Sequence, residues 1–253
     1  MGSLRSTSHN TATGSTTCTV TKPTGTVSGD LLVAAIGKST TGTPSGVPSG
    51  WVVVTSNTAE KLNNTASSFG NGCGFYYKIA GGSEGADYTW TSTSSEWAIT
   101  IFCFQDINFW LQTGSLVPVP VGVFETSNLF SRSSTTLALA DEPSPSNFSH
   151  DHYFIVAAPC IQEAAQTRTL SALSGYLTQV SNDSAVGISM MTGWAEYEPA
   201  DDPEIGPTQC TIDNASGNAR GYAILISDPT DEELFLNQRP RQTRPKRSRL
   251  VNA

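Results

Sequence analysis

Short apolar segments separated by polar turns recur along the whole chain. The clearest are residues 31–36, a continuous apolar run, and residues 97–104, eight residues with five aliphatic or aromatic side chains. Residues 88–91 alternate aromatic side chains and threonine, the period of two that a half-buried strand requires. Glycine, proline, serine and asparagine fill the intervals. The pattern predicts an all-β protein with an antiparallel sandwich or barrel.

The second half of the chain repeats the first in a degraded form. Three pairs of segments carry the repeat: 31–35 (LLVAA) with 154–158 (FIVAA), 49–52 (SGWV) with 174–177 (SGYL), and 98–101 (AITI) with 223–226 (AILI). Their offsets are 123, 125 and 125 residues, so order and spacing agree as well as composition. We therefore expect an antiparallel β-sandwich, jelly-roll-like, built from two degenerate half-repeats that pack face to face.

This repeat suggests a division of the chain into three parts. Residues 1–16 are predicted to be a polar N-terminal arm, because they show no hydrophobic periodicity. Residues 17–228 form the duplicated sandwich, with halves at about 17–106 and 149–228 and a proline-containing connector at 107–148. Residues 229–253 comprise a short helix, at 231–237, and a basic C-terminal arm.

Charge is scarce in this chain and unevenly distributed. Only 14% of the 253 residues are charged, against about 25% in an average soluble domain. The net charge is −8, yet the last 15 residues contain six basic side chains and no acidic one. The rest of the chain keeps 8 basic and 22 acidic residues, a net charge of −14. The six basic residues are Arg239, Arg241, Arg244, Lys246, Arg247 and Arg249.

Three interpretations of this basic arm are open. It is a solvated tail, an arm that docks on an acidic protein surface, or a nucleic-acid contact that neutralises phosphates. The acidic body argues against nucleic acid. Five carboxylates close together offer an acceptor surface for the arm of a neighbouring copy, with calcium binding as an alternative. They are Glu196, Glu198, Asp201, Asp202 and Glu204.

Several motifs in the first half resemble a β-sandwich module that is widespread in tailed bacteriophages. They are Gly29-Asp30 before the apolar run at 31–35, Pro48-Ser49-Gly50-Trp51, the segment 76–80 (YYKIA) and the segment 88–91 (YTWT). The resemblance covers residues 25–228 and is weaker in the second half, where Tyr176 replaces the tryptophan and 209–212 is a faint echo of 88–91. It implies a structural component of the virion, on the head or the tail, and brings no catalytic residues with it.

Catalytic and metal-binding motifs are sparse. His150 and His152 could place two imidazoles on one face of a strand, but no third zinc ligand is identifiable nearby. Gly37-Lys38-Ser39 lacks the preceding glycine of a phosphate-binding loop. We expect no enzymatic activity, no metal and no cofactor.

Cysteine and tryptophan positions favour structural roles. Five cysteines without a C-x-x-C pair argue against a disulfide framework, and Cys103 and Cys160 are predicted to be buried free thiols. Trp51 and Trp97 lie in strand patterns and are predicted to fill the core, whereas Trp194 is the tryptophan least typical of a core position.

Together these features predict a virion protein assembled in the host cytoplasm. The favoured function is a capsid decoration or cement protein, present as a homo-oligomer or in symmetric copies, whose extended termini bind other virion proteins, the major capsid protein first among them. The apolar runs are too short to span a bilayer, and no hydrophobic signal segment precedes the first strand. The alternative is a tail-fibre or baseplate module that recognises glycans on the host surface.

Overall fold

Antiparallel strands make up the computed structural model, and no described residue is helical. The structure describes the backbone of residues 3–40, 43–53, 72–106, 111–112, 115–116, 120–125, 136–138, 151–161, 170–173, 178–185, 188–197, 209–212, 218–219 and 222–228, and the side chains of 3–40, 43–53, 74–106 and 188–194. Within these residues no helix is long and apolar enough to cross a membrane. The predicted all-β class is confirmed.

Sixteen strands are described. They are β1 (Ser3–Thr21), β2 (Leu31–Lys38), β3 (Val52–Val53), β4 (Gly72–Ile79), β5 (Asp87–Gln105), β6 (Leu111–Gln112), β7 (Ser115–Leu116), β8 (Pro120–Glu125), β9 (Thr136–Ala138), β10 (Asp151–Ile161), β11 (Leu170–Leu173), β12 (Thr178–Ala185), β13 (Ile188–Tyr197), β14 (Gln209–Ile212), β15 (Asn218–Ala219) and β16 (Tyr222–Asp228).

Two larger sheets contain most of these strands. The first has the order β1-β5-β2-β4-β3, and the second has the order β12-β13-β10-β16-β8, with β15 paired to the end of β10. A three-stranded sheet has the order β11-β14-β9, and β6 pairs with β7. All of the pairings are antiparallel.

Strand β2 is the central strand of the first sheet, and all eight of its residues are buried. It pairs on one side with β5, from Leu31 opposite Phe104 to Lys38 opposite Trp97, and on the other side with β4. A strand buried on both faces is expected to be continuously apolar rather than alternating. This explains why the run at 31–36 is apolar at every position.

Strands β1 and β5 form a long ribbon that folds back over the first sheet. The amide Nδ2 of Asn10 donates to the Thr19 carbonyl at 2.7 Å, although nine residues of straight strand would span roughly 30 Å. The register shifts between Ala12 and Ser15, and Gly14 has a positive φ of 55°. The Trp97 indole donates to the Ser15 carbonyl at 2.9 Å on the inside of the bend.

The folded part of the ribbon, residues 17–21 of β1 and 87–91 of β5, covers one face of the sheet. Trp51 contacts Tyr88 and Trp90 edge-on, with ring centroids 5.2 and 5.3 Å apart. The predicted core positions of Trp51 and Trp97 are confirmed. This core cluster contains Cys18, Val20, Leu32, Ala34, Ile36, Trp51, Tyr76, Ala80, Tyr88, Trp90, Trp97, Ile99, Ile101 and Cys103.

The opposite face of the first sheet faces the second sheet. The Phe104 ring meets the half-buried Trp194 edge-on, with centroids 6.4 Å apart. The Thr192 hydroxyl lies 3.3 Å from the Thr100 hydroxyl, and both residues are fully buried. Strand β13 therefore packs across β5 and β2, and both faces of β2 are removed from water.

The predicted N-terminal arm, residues 1–16, is replaced in the structure by strand from Ser3 onward. This strand shows no hydrophobic periodicity because it lies at the sheet edge, where its serine, threonine and asparagine side chains are half-buried or exposed. The predicted helix at 231–237 and the basic arm lie outside the described residues.

Candidate functional site

The acidic and basic residues proposed from the sequence lie almost entirely outside the described residues. Glu196 is within β13, where its backbone is in register with Tyr153 of β10. Glu198, Asp201, Asp202 and Glu204 are outside, as are Arg239, Arg241, Arg244, Lys246, Arg247 and Arg249. His150 is also outside, and His152 lies in β10 opposite Tyr197. Their proposed roles therefore stay predictions, and the chemistry of the described residues lies in three other clusters.

The first cluster surrounds Asp30, whose side chain is 4% exposed. Arg5 forms a two-point ion pair with it, Nε to Oδ2 at 3.0 Å and Nη2 to Oδ1 at 3.2 Å. The Val27 amide donates to Oδ2 at 2.9 Å, and the Cys103 thiol donates to the same atom at 3.3 Å. Asp30 thus joins the N-terminal strand, the β1–β2 loop and β5.

Cys103 is a buried free thiol, as predicted. Its pKa is raised to about 11, first by burial and then by the Asp30 carboxylate, against the lowering effect of the Thr26 hydroxyl, which donates to Sγ. Because the thiolate is the reactive form of cysteine, Cys103 is not poised as a nucleophile at neutral pH. Cys160 lies in β10 outside the described side chains.

The second cluster surrounds Glu84 and joins two motifs of the sequence. Its Oε2 accepts from Lys78 Nζ and from the Tyr88 hydroxyl, each at 2.9 Å, and its Oε1 accepts from the Gly81 amide at 2.7 Å. Burial raises the pKa of Glu84, but these three hydrogen bonds outweigh it and the net pKa is lowered. Burial, and then the bond to Glu84, raise the pKa of Tyr88.

Gly50 is needed beside this cluster. Lys78 Nζ also donates to the Ser49 carbonyl at 3.0 Å, so its side chain lies directly against the turn before Trp51. Gly50 has a φ of +82°, and a Cβ there would lie 3.1 Å from Lys78 Cε. The glycine of the Pro48-Ser49-Gly50-Trp51 motif is therefore required by backbone conformation and by space.

The third cluster lies at the far end of β2, where Lys38 is 1% exposed. Its Nζ donates to the Thr40 carbonyl at 2.9 Å, to the Thr40 hydroxyl at 2.8 Å and to the Ser92 hydroxyl at 3.4 Å. The Ser95 hydroxyl accepts from the amides of Ser39 and Thr40, at 3.1 and 3.2 Å. Burial lowers the pKa of Lys38, because desolvation disfavours the ammonium form.

The three clusters fix loops and strand ends in place. The carboxylates of Asp30 and Glu84 are occupied by donors of the same chain, and the Lys38 ammonium donates to hydroxyls and a carbonyl. Within the described part of the chain, no three histidine, cysteine, aspartate or glutamate side chains form a metal-binding group. Sequence reasoning missed the burial of Lys38. The sequence signal for this burial is that Lys38 follows the apolar run at 31–36 by only two residues.

The comparisons with known proteins add no assignment. No protein-family model, no curated protein and no solved structure matches the chain.

Replacing Asp30 with asparagine should destabilise the fold by about 2–3 kcal/mol, because the Arg5 guanidinium and the buried Cys103 thiol lose a charged, buried acceptor. The matched control is Asp87→Asn, the same chemical change at an exposed position of β5, which should cost at most about 0.5 kcal/mol. Urea unfolding of the two variants measures both values, and equal losses would contradict the structural role of Asp30.

Lys38→Met should flatten the dependence of stability on alkaline pH. A pKa lowered in the folded state means that the unfolded chain binds the proton more tightly, so stability rises as the pH climbs from the lowered value toward 10.5. The variant lacks this titration. Unfolding free energies from pH 7 to 10, with Lys22→Met as the control at a less buried lysine, measure the slope. An unchanged slope in Lys38→Met would show that Lys38 does not titrate as its burial requires.

Proposed function

We propose that the chain is a duplicated β module whose halves pack face to face as a two-layer, jelly-roll-like sandwich. The support comes from strand order. In the first sheet the five strands, numbered along the chain, lie in the order 1-5-2-4-3. In the second sheet β8, β10, β12, β13 and β16 are the corresponding five, and their order is also first, fifth, second, fourth, third.

The three-stranded sheet extends the same correspondence. In the first half the ribbon residues 17–21 pair with 87–91, and Thr91 bridges to Gly46, which lies between β2 and β3. In the second half β9 pairs with β14 and β14 pairs with β11, which lies between β10 and β12. Strand β14 is the segment that the sequence identifies as the echo of residues 88–91.

The pairing register of the strands favours a residue correspondence between the two halves that differs from the one in the sequence repeat. Leu31 pairs with Phe104, and adding 122 to both numbers gives Tyr153 and Ile226, an observed pair. The sequence offsets of 123 and 125 would pair Phe154 with residue 229, whereas Phe154 pairs with Leu225. Apolar strands align almost equally well at neighbouring offsets, so the hydrophobic pattern alone does not select the register.

An experimental structure of the full chain should superpose β8, β10, β12, β13 and β16 on the first five strands with the 122-residue correspondence in β2 and β5. The matched comparison is the same superposition made with an offset of 123, which should be worse because each side chain then changes face. A different strand order in the second half would contradict the duplication.

For the function, we propose a non-enzymatic structural protein of a tailed-phage virion, a capsid decoration or cement protein held to its neighbours by extended termini. The observation that carries this proposal is the charge segregation of the chain. Six basic residues and no acidic one occupy 239–253, while the remainder carries a net charge of −14. A second support is that the phage-like motif residues Asp30, Gly50, Lys78 and Tyr88 have architectural roles.

The proposed attachment is electrostatic and multivalent. Arginine pairs with carboxylates through two parallel hydrogen bonds, which suits an arm that binds an acidic protein surface. A single exposed ion pair contributes little, at most about 1 kcal/mol. Six basic residues on one arm act together, because the first contact raises the effective concentration of the next. The acceptor is the acidic segment of a neighbouring copy, at 196–204, or the major capsid protein.

Replacing all six basic residues of the arm with glutamine should abolish co-sedimentation of the protein with purified phage heads that lack it. The wild-type interaction should also weaken as salt rises, since exposed charges are screened. The matched control replaces Gln242, Thr243 and Ser248 with alanine, which alters the same segment without changing its charge.

Retained binding by the glutamine variant would place the attachment elsewhere on the chain. A full-length protein that does not bind phage heads but binds host cells would support the receptor-binding alternative. That alternative needs exposed aromatic side chains, whereas Trp51, Trp90 and Trp97 are buried in the core.

A further inference from the structure

The β2–β3 turn, residues 43–51, is anchored to the first sheet at a few points. Gly46 and Thr91 exchange two backbone hydrogen bonds, of 3.2 and 2.9 Å, in an isolated bridge. Strand β3, which follows the turn, has only two residues and pairs with β4. Between these points the Lys78 ammonium donates to the Ser49 carbonyl at 3.0 Å. The middle of the turn is therefore anchored by a side chain, that of Lys78.

Lys78 is in turn held by Glu84. Its ammonium lies 2.9 Å from Glu84 Oε2, and the two side chains are only 16% and 8% exposed. The Tyr88 hydroxyl donates to the same carboxylate oxygen, and the Gly81 amide donates to Oε1. The titratable groups in contact with Glu84 among the described residues are thus Lys78 of β4 and Tyr88 of β5. The β2–β3 turn contains no titratable side chain. A chain of contacts therefore runs from Glu84 through Lys78 to this turn.

Trp51, the last residue of the turn, is buried at a cost. Its ring packs edge-on against Tyr88 and Trp90, but its indole Nε1 is buried and has no hydrogen-bond partner among the described residues. A buried donor without an acceptor costs free energy that contact with water recovers. The Trp90 indole has the same deficiency, yet Trp90 lies within β5 and is paired with β1. Trp51 is therefore the ring of this cluster that a local movement of the turn can expose.

We propose that the Glu84–Lys78 ion pair is an acid-sensitive latch: neutralising Glu84 releases the β2–β3 turn, and Trp51 leaves the aromatic cluster for solvent while the rest of the first sheet stays folded. Without its carboxylate partner, the largely buried Lys78 ammonium is better solvated in water, and its bond to Ser49 is lost as it moves outward. The proposal is independent of the virion function and of the basic arm.

The pH dependence follows from the hydrogen bonds that Glu84 accepts. Burial by itself would raise the pKa of Glu84, but the bonds from Gly81, Lys78 and Tyr88 outweigh it, and the pKa is lowered from 4.5. Release of the turn removes the Lys78 ammonium, so the carboxyl group of the released state binds its proton more tightly. Protonation therefore favours release. The closed turn is stable at neutral pH and is lost as the pH falls below 4.5 through the lowered pKa.

Fluorine NMR of the full-length chain labelled with 5-fluorotryptophan tests the latch. Single Trp→Phe variants assign the resonances of Trp51, Trp90 and Trp97. As the pH falls from about 7 to about 3, the Trp51 resonance should move toward that of free 5-fluorotryptophan, while the other two keep their positions. A Trp51 resonance that stays in place would overturn the proposal. So would one that shifts only together with Trp90 and Trp97, because the whole fold is then lost.

Two variants locate the latch. Glu84→Gln has no carboxylate to titrate, so its Trp51 resonance should lie near the released position already at neutral pH and change little in acid. Lys78→Met removes the anchor of the turn and should give the same spectrum. The matched control is Glu96→Gln, the same chemical change at another half-buried residue of β5, which should titrate like the wild type. A wild-type titration in Glu84→Gln, or a lost transition in Glu96→Gln, would overturn the proposal. If either latch variant fails to fold, the wild-type titration decides alone.

Discussion

The burial of both faces of β2 is the constraint on which the first half of the structure depends. A strand inaccessible to water on both sides needs two covering layers, and the chain supplies them differently. The folded β1–β5 ribbon covers the side of Leu32, Ala34 and Ile36, and β13 of the second sheet covers the opposite side. The bend at Gly14 and the contact between Thr100 and Thr192 are consequences of this requirement, one for each layer.

A buried charged residue lies at each end of β2. Asp30 precedes the strand and accepts from Arg5, Val27 and Cys103, while Lys38 ends it and donates to Thr40 and Ser92. Each charge is buried and hydrogen-bonded, which is the condition for tolerating an ion away from water. Both side chains also join segments distant in sequence. The ion pair and hydrogen bonds offset the cost of burying these charges, and the same contacts fix the loops at either end of the central strand.

The sequence predicts the central strands well because their signal is local. Residues 31–36 and 97–104 are apolar at nearly every position, and Trp51 and Trp97 occupy the core as expected. Residues 3–16 of β1 were not predicted to be strand, because an edge strand with polar side chains shows no hydrophobic periodicity. The contacts of Arg5 with Asp30 and of Lys38 with Ser92 escaped because these partners are 25 and 54 residues apart, so that no local pattern pairs them. The charge contrast of the C-terminal arm is visible only in the sequence.

The proposed duplication does not make the two halves identical at their edge strands. On the proposed duplication, β1 and β8 are the same edge of the module, once in each half. Pro120 and a register shift block the β8 edge, whereas residues 6–12 of β1 remain regular. The proposed repeat is therefore kept in the strand order and lost at the edge strand, where a proline and a bulge in the second half discourage pairing with another chain.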